Sequence, residues 1–337
     1  MKENNNKKRW MSAGLALLVL LVSLFTGGNE GKVEERKNDF TKEAFSKFYP
    51  VEEEILYGTN PSQRISVINV EGMIASDQNN DTIVDMLKEA QNDPKTLGVI
   101  MHINSPGGSV YASEKIYKEI KKLQEQNKPV YAVMQELAAS GGYYISSPCD
   151  KIFASNETWT GSIGVIMQSY SLEGLFDEYG IKEQNITTGK MKDAGSPGSD
   201  MDDDEKEYFQ NLVDSAFGRF LNVVSEGRDM SEAEVRKLAD GRVYDGSQAL
   251  ENGLIDKIGD LEDAYKDMAK EYNLSDPMLV EKSDVFSSFS KYFPGFKSFT
   301  DKPKSELEIL KEFMNSEGNK PMYLYGGHYE WGQSKRL

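Results

Sequence analysis

From Arg64 onward, short apolar runs alternate with segments of helical spacing. Ile65–Ile74 (ISVINVEGMI) alternates as a strand does, and Asp81–Gln91 places Ile83, Val84 and Leu87 on one helical face before Pro94 ends it. Leu97–Ile103 (LGVIMHI) is continuously apolar, as for a strand covered on both faces. The tight turn Asn104–Ser109 then leads into a helix over Val110–Gln126, with Ile116, Ile120 and Leu123 on one side. Pro129–Met134 predicts a buried strand, Gly141–Ser147 the first turns of a helix and Asp150–Ala154 another short strand. Thr160–Val165 reads as a Gly-rich turn into a strand, and Ile181–Thr188 as a further strand followed by a loop rich in Gly and Pro. Asp202–Ser225 reads as a long helix with Asp202 and Glu205 as a capping box, and Ser231–Leu238 as a shorter one. Gly241–Ala264 reads as turn, helix, strand, helix. Strands and helices alternating at this spacing predict an α/β fold with a mostly parallel sheet.

Both ends depart from this pattern. Lys2, Lys7, Lys8 and Arg9 precede an almost wholly apolar run, Trp10–Phe25. At 1.5 Å per residue it spans about 24 Å, close to the ~30 Å hydrocarbon core once its flanks snorkel. The basic flank keeps the N-terminus cytoplasmic and sends the rest across. We expect a cytoplasmic stub and transmembrane signal anchor over residues 1–28, with a cleaved signal peptide as the competitor. Residues 29–60 are polar and charged and read as a tether, residues 61–275 as one catalytic domain, and residues 276–337 as an aromatic and amphipathic segment with a tail. In that last segment Phe286, Phe289, Tyr292, Phe293, Phe296 and Phe299 form a stripe suited to packing or to a membrane surface, and Leu307–Phe313 a short amphipathic helix.

Composition narrows the chemistry. A net charge of −16 over 337 residues argues against nucleic acid as the main partner. Cys149 is the one cysteine, read as buried filler, so neither an intrachain disulfide nor a thiolate metal cluster is expected. Only two histidines, His102 and His328, exist to serve as a base or to bind a metal. No metal and no cofactor is expected.

Ser140 follows an apolar strand and opens a helix, between Ala139 and Gly141. Small neighbours leave its hydroxyl open, and amides at the helix start point the same way, which suits a nucleophile beside an oxyanion site. A plain serine N-cap is the alternative. With histidine scarce, lysine is the likelier base; burial must lower its pKa from ~10.4 by about three units, at roughly 4 kcal/mol for the ammonium form. Lys190 and Lys192, in a Gly-flanked loop, are candidates.

The ordered set NSPGGSV at 104–110, AASGGYYIS at 138–146, TGSIGVI at 160–166, GKMKDAGSP at 189–197 and GRVYDGSQA at 241–249 resembles the signal peptide peptidase A family over about residues 64–270. That resemblance implies a membrane-bound Ser-Lys endopeptidase with a Clp-protease/crotonase-like fold. It implies Ser140 as nucleophile, Lys192 as general base with Lys190 as its rival, Gly107 and Gly141 as oxyanion donors, and Ser162 as the hydroxyl that orients the lysine. Gly108 and Gly161 are expected along the substrate groove. It further implies a homo-oligomer, an octameric ring whose serine and lysine come from neighbouring subunits, acting on cleaved signal peptides and other apolar peptides at the extracytoplasmic face of the cell membrane. Met134–Leu137 is bulkier than the family's usual stretch before the serine, which bears on a specificity pocket and leaves the dyad intact. The apolar tail segment PMYLYGG (321–327) resembles such a substrate and is expected to occupy a groove, to be trimmed or to inhibit. Two other readings compete: an acyl-CoA enzyme on the crotonase-like scaffold, and a membrane scaffold without catalysis.

Overall fold

The computed structural model describes residues 52–76, 78–283 and 322–324. The expected anchor, the aromatic stripe, the Leu307–Phe313 helix and His328 lie outside the described residues. Among the described residues no helix is long and apolar enough to cross a membrane.

The chain runs β1 (Glu52–Tyr57), β2 (Asn60–Glu71), α1 (Gln78–Asn92), β3 (Thr96–Ser105), β4 (Gly107–Ser109), α2 (Val110–Glu125), β5 (Val130–Ala139), α3 (Gly141–Ser146), β6 (Lys151–Ala154) and β7 (Trp159–Gly161). It continues with α4 (Glu173–Glu178), a 3-10 turn (Lys190–Lys192), α5 (Asp203–Arg228), α6 (Glu232–Leu238), β8 (Val243–Asp245), α7 (Gly246–Glu251), β9 (Lys257–Ile258), α8 (Leu261–Glu271), β10 (Pro277–Ser283) and β11 (Met322–Leu324). The main sheet has the order β1-β10-β2-β3-β5-β6-β9, with β7 pairing to β5 and β8 to β7. The ladders from β10 through β2, β3, β5 and β6 to β9 are parallel, as is β5–β7; β7–β8 is antiparallel.

Period-two alternation divides the core. Val99, Met101 and Ile103 of β3 and Val130, Ala132 and Met134 of β5 join α1, α2, α3 and α5 on one face. Ile100, Tyr131 and Val133 turn to the other, against Ala264 and Met268 of α8. Both faces of the LGVIMHI strand are therefore covered, as its unbroken apolar run predicts.

Four boundaries differ from the expectation. The sheet begins at Glu52, within the segment read as tether, and β10 extends it past residue 275, because β10 pairs in parallel with β2 and buries Leu279 and Val280. The segment Gly107–Ser109 is an extended strand with partners on both sides rather than a turn. After Gly161 there is no strand, and Ile181–Thr188 is an exposed loop: its β-branched residues find no neighbour to pair with. Within 241–264 the strand β8 comes before the helix α7. The long helix bears out its expected start, with Asp202 capping it and Glu205 closing the capping box.

Candidate active site

β5 delivers Ser140. Its amide donates to the Gly161 carbonyl (2.8 Å), so the chain turns out of the sheet at this point, and Tyr144 N–H donates to the Ser140 carbonyl (2.8 Å) to start α3. Ser140 stands at φ 53°, ψ −112°, a costly conformation for a residue with a Cβ. It makes no side-chain cap, so the N-cap alternative is not the one adopted. Its Oγ is buried and has no hydrogen-bond partner. A buried hydroxyl in a strained turn without a partner contributes nothing to stability, and positions of this kind concentrate at functional sites.

The helix behind it is held rigidly. α3 is wholly buried, and the Tyr143 hydroxyl donates to the Leu254 carbonyl (2.9 Å). Arg228, at the end of α5, secures the same turn: its Nε donates to the Gly253 carbonyl (3.1 Å) and its guanidinium grips Asp256 in two bonds (2.7 and 3.0 Å). Burial pushes the Tyr143 hydroxyl and the Cys149 thiol well above their ordinary values, so both stay neutral. Cys149 is filler, as expected from the sequence.

β4 passes beside Ser140. Ile74 takes one edge of it: Ile74 N–H donates to the Gly107 carbonyl (2.8 Å) and Ser109 N–H to the Ile74 carbonyl (2.7 Å). Strand alternation turns the Gly108 amide and carbonyl to the opposite edge. This corrects the expectation for Gly107 as oxyanion donor, because its N–H donates to Ser105 Oγ (3.1 Å). Gly108 is the glycine whose amide faces the site. Gly107 matters for another reason: at φ 97° it carries no Cβ, and one built there would overlap the Tyr323 carbonyl oxygen and the Gly141 nitrogen. A Cβ on Gly141 would in turn lie 3.1 Å from Gly108 N. Gly107, Gly108 and Gly141 thus border one small space that any side chain would fill.

That open edge of β4 is occupied by the chain's own tail. β11 pairs antiparallel with it, Met322 with Ser109, Tyr323 with Gly108 and Leu324 with Gly107. On its far side Met322 exchanges two backbone bonds with Ile166 (2.8 and 3.0 Å). An extended peptide therefore lies between two strands of backbone, with glycine-rich β4 on one side. Gly161, expected in the groove, packs against the Tyr244 ring instead and serves to fix Ser140; Ile166 forms the second wall. Sequence patterning had no signal for Ile166, which reads as one apolar residue in a loop.

Ser162 is buried at φ 48°, its amide bonded to the Arg242 carbonyl (2.8 Å), on the segment that leads from Ser140's neighbour Gly161. Lys192 lies elsewhere, exposed in the 3-10 turn of a long arm, and is not brought to Ser140 within one chain. Lys190 pairs with Asp204 and with Asp202 (3.5 Å), and the bond to Asp204 raises its pKa, so it is held as a cation and is a poor base. His102 faces the α8 side of the sheet, bonded through Nδ1 to Asn69 (3.2 Å) and lining a cavity of about 500 Å³ with Tyr57, Val133 and Leu261. Burial lowers its pKa, against the pull of Glu281 and Glu71. Among the described residues no cluster of three or more His, Cys, Asp or Glu could hold a metal ion.

Comparison with known proteins agrees with this geometry. The model of peptidase family S49 matches residues 122–275, and that of Clp protease residues 56–155. The chain is 37% identical to a provisionally named signal peptide peptidase SppA of Enterococcus faecium, over 96% of this chain and 99% of that one. It is 38% identical to protease 4 of Haemophilus influenzae over 67% of this chain and 38% of that one, and 31% identical to the chloroplastic serine protease SPPA of Arabidopsis thaliana over 71% of this chain and 36% of that one. Among solved structures a ClpP1 mutant from Listeria monocytogenes aligns with a TM-score of 0.41 at 17% identity, covering 58% of this chain and 92% of that chain. The sheet with its crossing helices is a Clp-protease-like α/β fold, and the chain belongs to peptidase family S49 and is a serine peptidase.

Proposed function

We propose that the protein hydrolyses apolar peptides, cleaved signal peptides among them, with Ser140 as nucleophile and Lys192 of a neighbouring subunit as general base. The observation that carries this reading is the buried, strained and unpartnered Ser140 Oγ beside a groove that already holds an extended peptide. Neutral Lys192 removes the Oγ proton, Oγ bonds to the peptide carbonyl carbon, and the amides of Gly108 and Gly141 hold the oxyanion. The C–N bond breaks as Lys192 returns the proton to the leaving amine. Water then attacks the acyl ester, giving its proton to Lys192, and Ser140 is restored. Ser162 orients the lysine.

The assembly is a homo-oligomeric ring, an octamer, with each dyad crossing a subunit boundary. Two features support it. Lys192 lies away from Ser140 in its own chain, and its arm exposes Tyr170, Leu175, Tyr179, Ile181 and Ile186, apolar surface that a neighbour would cover. The N-terminal apolar segment anchors the ring, with the catalytic part extracytoplasmic. The tail segment 321–327 competes with external peptides for the groove and is trimmed there. Deleting the residues after Asn319 raises hydrolysis of added peptide; unchanged activity together with an unchanged mass of the mature chain contradicts the tail's role.

The reading is tested with an apolar fluorogenic peptide. Wild type cleaves it, is inhibited by serine-directed reagents and is indifferent to chelators. Ser140→Ala lowers the rate at least about a thousandfold, and its melting temperature is unchanged because the lost hydroxyl had no partner. Full activity in Ser140→Ala contradicts the proposal.

A further inference from the structure

Tyr323 is the middle residue of β11, and it is fully buried. Its ring stacks on Tyr144 (centroids 4.8 Å apart, planes at 25°) and leans on Phe220 (4.7 Å, 51°). Its hydroxyl donates to the Ala216 carbonyl (3.0 Å). Tyr144 belongs to the helix that Ser140 opens, while Ala216 and Phe220 are one turn apart on α5. The slot therefore has two aromatic walls and a floor made of helix backbone, which cannot retreat as a side chain can. The main chain of the same residue pairs with Gly108, and its carbonyl oxygen borders the same space beside Gly107 as the Gly141 amide does. Side chain in a fitted slot and carbonyl at the glycine-lined space are the two requirements for a residue that supplies the acyl half of the cleaved bond.

We propose that this slot is a tyrosine-selecting pocket, so that the enzyme cuts peptides on the C-terminal side of a tyrosine. The assignment rests on the Ser140 reading. The ring is recognised by Tyr144 and Phe220, and the phenol by the Ala216 carbonyl. Phenylalanine fills the same walls and leaves Ala216 its bond within the helix, so the hydroxyl is worth about tenfold, the size of one neutral hydrogen bond. Leucine leaves the ring faces uncovered and falls about a hundredfold. Tryptophan is too long for a floor of backbone.

The test uses the full-length protein in detergent and internally quenched apolar peptides that differ at one position, with Tyr, Phe, Leu or Trp, the cut bond being identified by product mass. The expected order in kcat/KM is Tyr over Phe by about tenfold and over Leu by about a hundredfold. Phe220→Leu, which keeps the core filled, narrows the gap between Tyr and Leu. Equal rates across the series, or cleavage at another bond, with Ser140→Ala inactive, overturns the pocket and leaves the serine mechanism standing. Undiminished hydrolysis in Ser140→Ala overturns both.

Discussion

At the scale of single residues, the site depends on what is missing as much as on what is present. Gly107 has no side chain where one would collide with the Tyr323 carbonyl and the Gly141 amide. Gly107→Ala is expected to cut activity about a hundredfold or more by filling that space, as measured by kcat against an unchanged far-ultraviolet spectrum. The serine itself was legible in the sequence, since small residues around a strand-to-helix serine are a physical signature. Which glycine turns its amide to the site was not. That is decided by Ile74, more than thirty positions upstream in the chain, which takes one edge of β4 and leaves the other to Gly108. His102 shows a separate effect. Its folded pKa lies below its ordinary ~6.5, chiefly through burial. The neutral ring is thus favoured by folding, and the sign follows: this part of the stability is present above the unfolded value and is lost as pH falls below it. Thermal unfolding between about pH 7 and pH 5 should show a steeper fall for wild type than for His102→Gln; identical curves contradict the assignment.

At the scale of elements, α5 connects otherwise separate parts. Its N-terminal acids hold Lys190 beside the arm that carries Lys192, its middle forms the Tyr323 slot, and its end pins the turn that braces α3. Arg228 is nearly buried, and Asp256 is its bidentate partner. Asp256→Ala leaves that guanidinium without its carboxylate and is expected to cost about 3 kcal/mol in urea unfolding. Peptidase activity per folded molecule should fall with it, since Ser140 sits on the braced helix. The apolar strands β2, β3 and β5 and the capped helix α5 were readable because period and caps are local signals. The strand expected at 181–188 failed because pairing is not local: Ile186 and Thr187 have strand propensity and no neighbour. Gly107–Ser109 failed in the opposite sense, a glycine pair that looks like a turn and is held extended from both sides.

At the scale of the whole molecule, one chain holds a complete groove and half of a catalytic pair. Family S49 membership makes it a serine peptidase; the fold explains why Ser140 is strained and open, and it leaves Lys192 on an exposed arm. The separation of Ser140 from Lys192 could not be read from sequence, where both motifs are intact and only their order is visible. The measurement that bears most directly on the account is activity of co-assembled variants. Ser140→Ala and Lys192→Ala are each expected to be inactive alone, and a mixed assembly, verified by native mass, is expected to recover part of the wild-type rate, because some boundaries then join an intact serine to an intact lysine. A verified mixture that stays inactive, or a Lys192→Ala protein that keeps full activity, would contradict a dyad shared between neighbouring subunits.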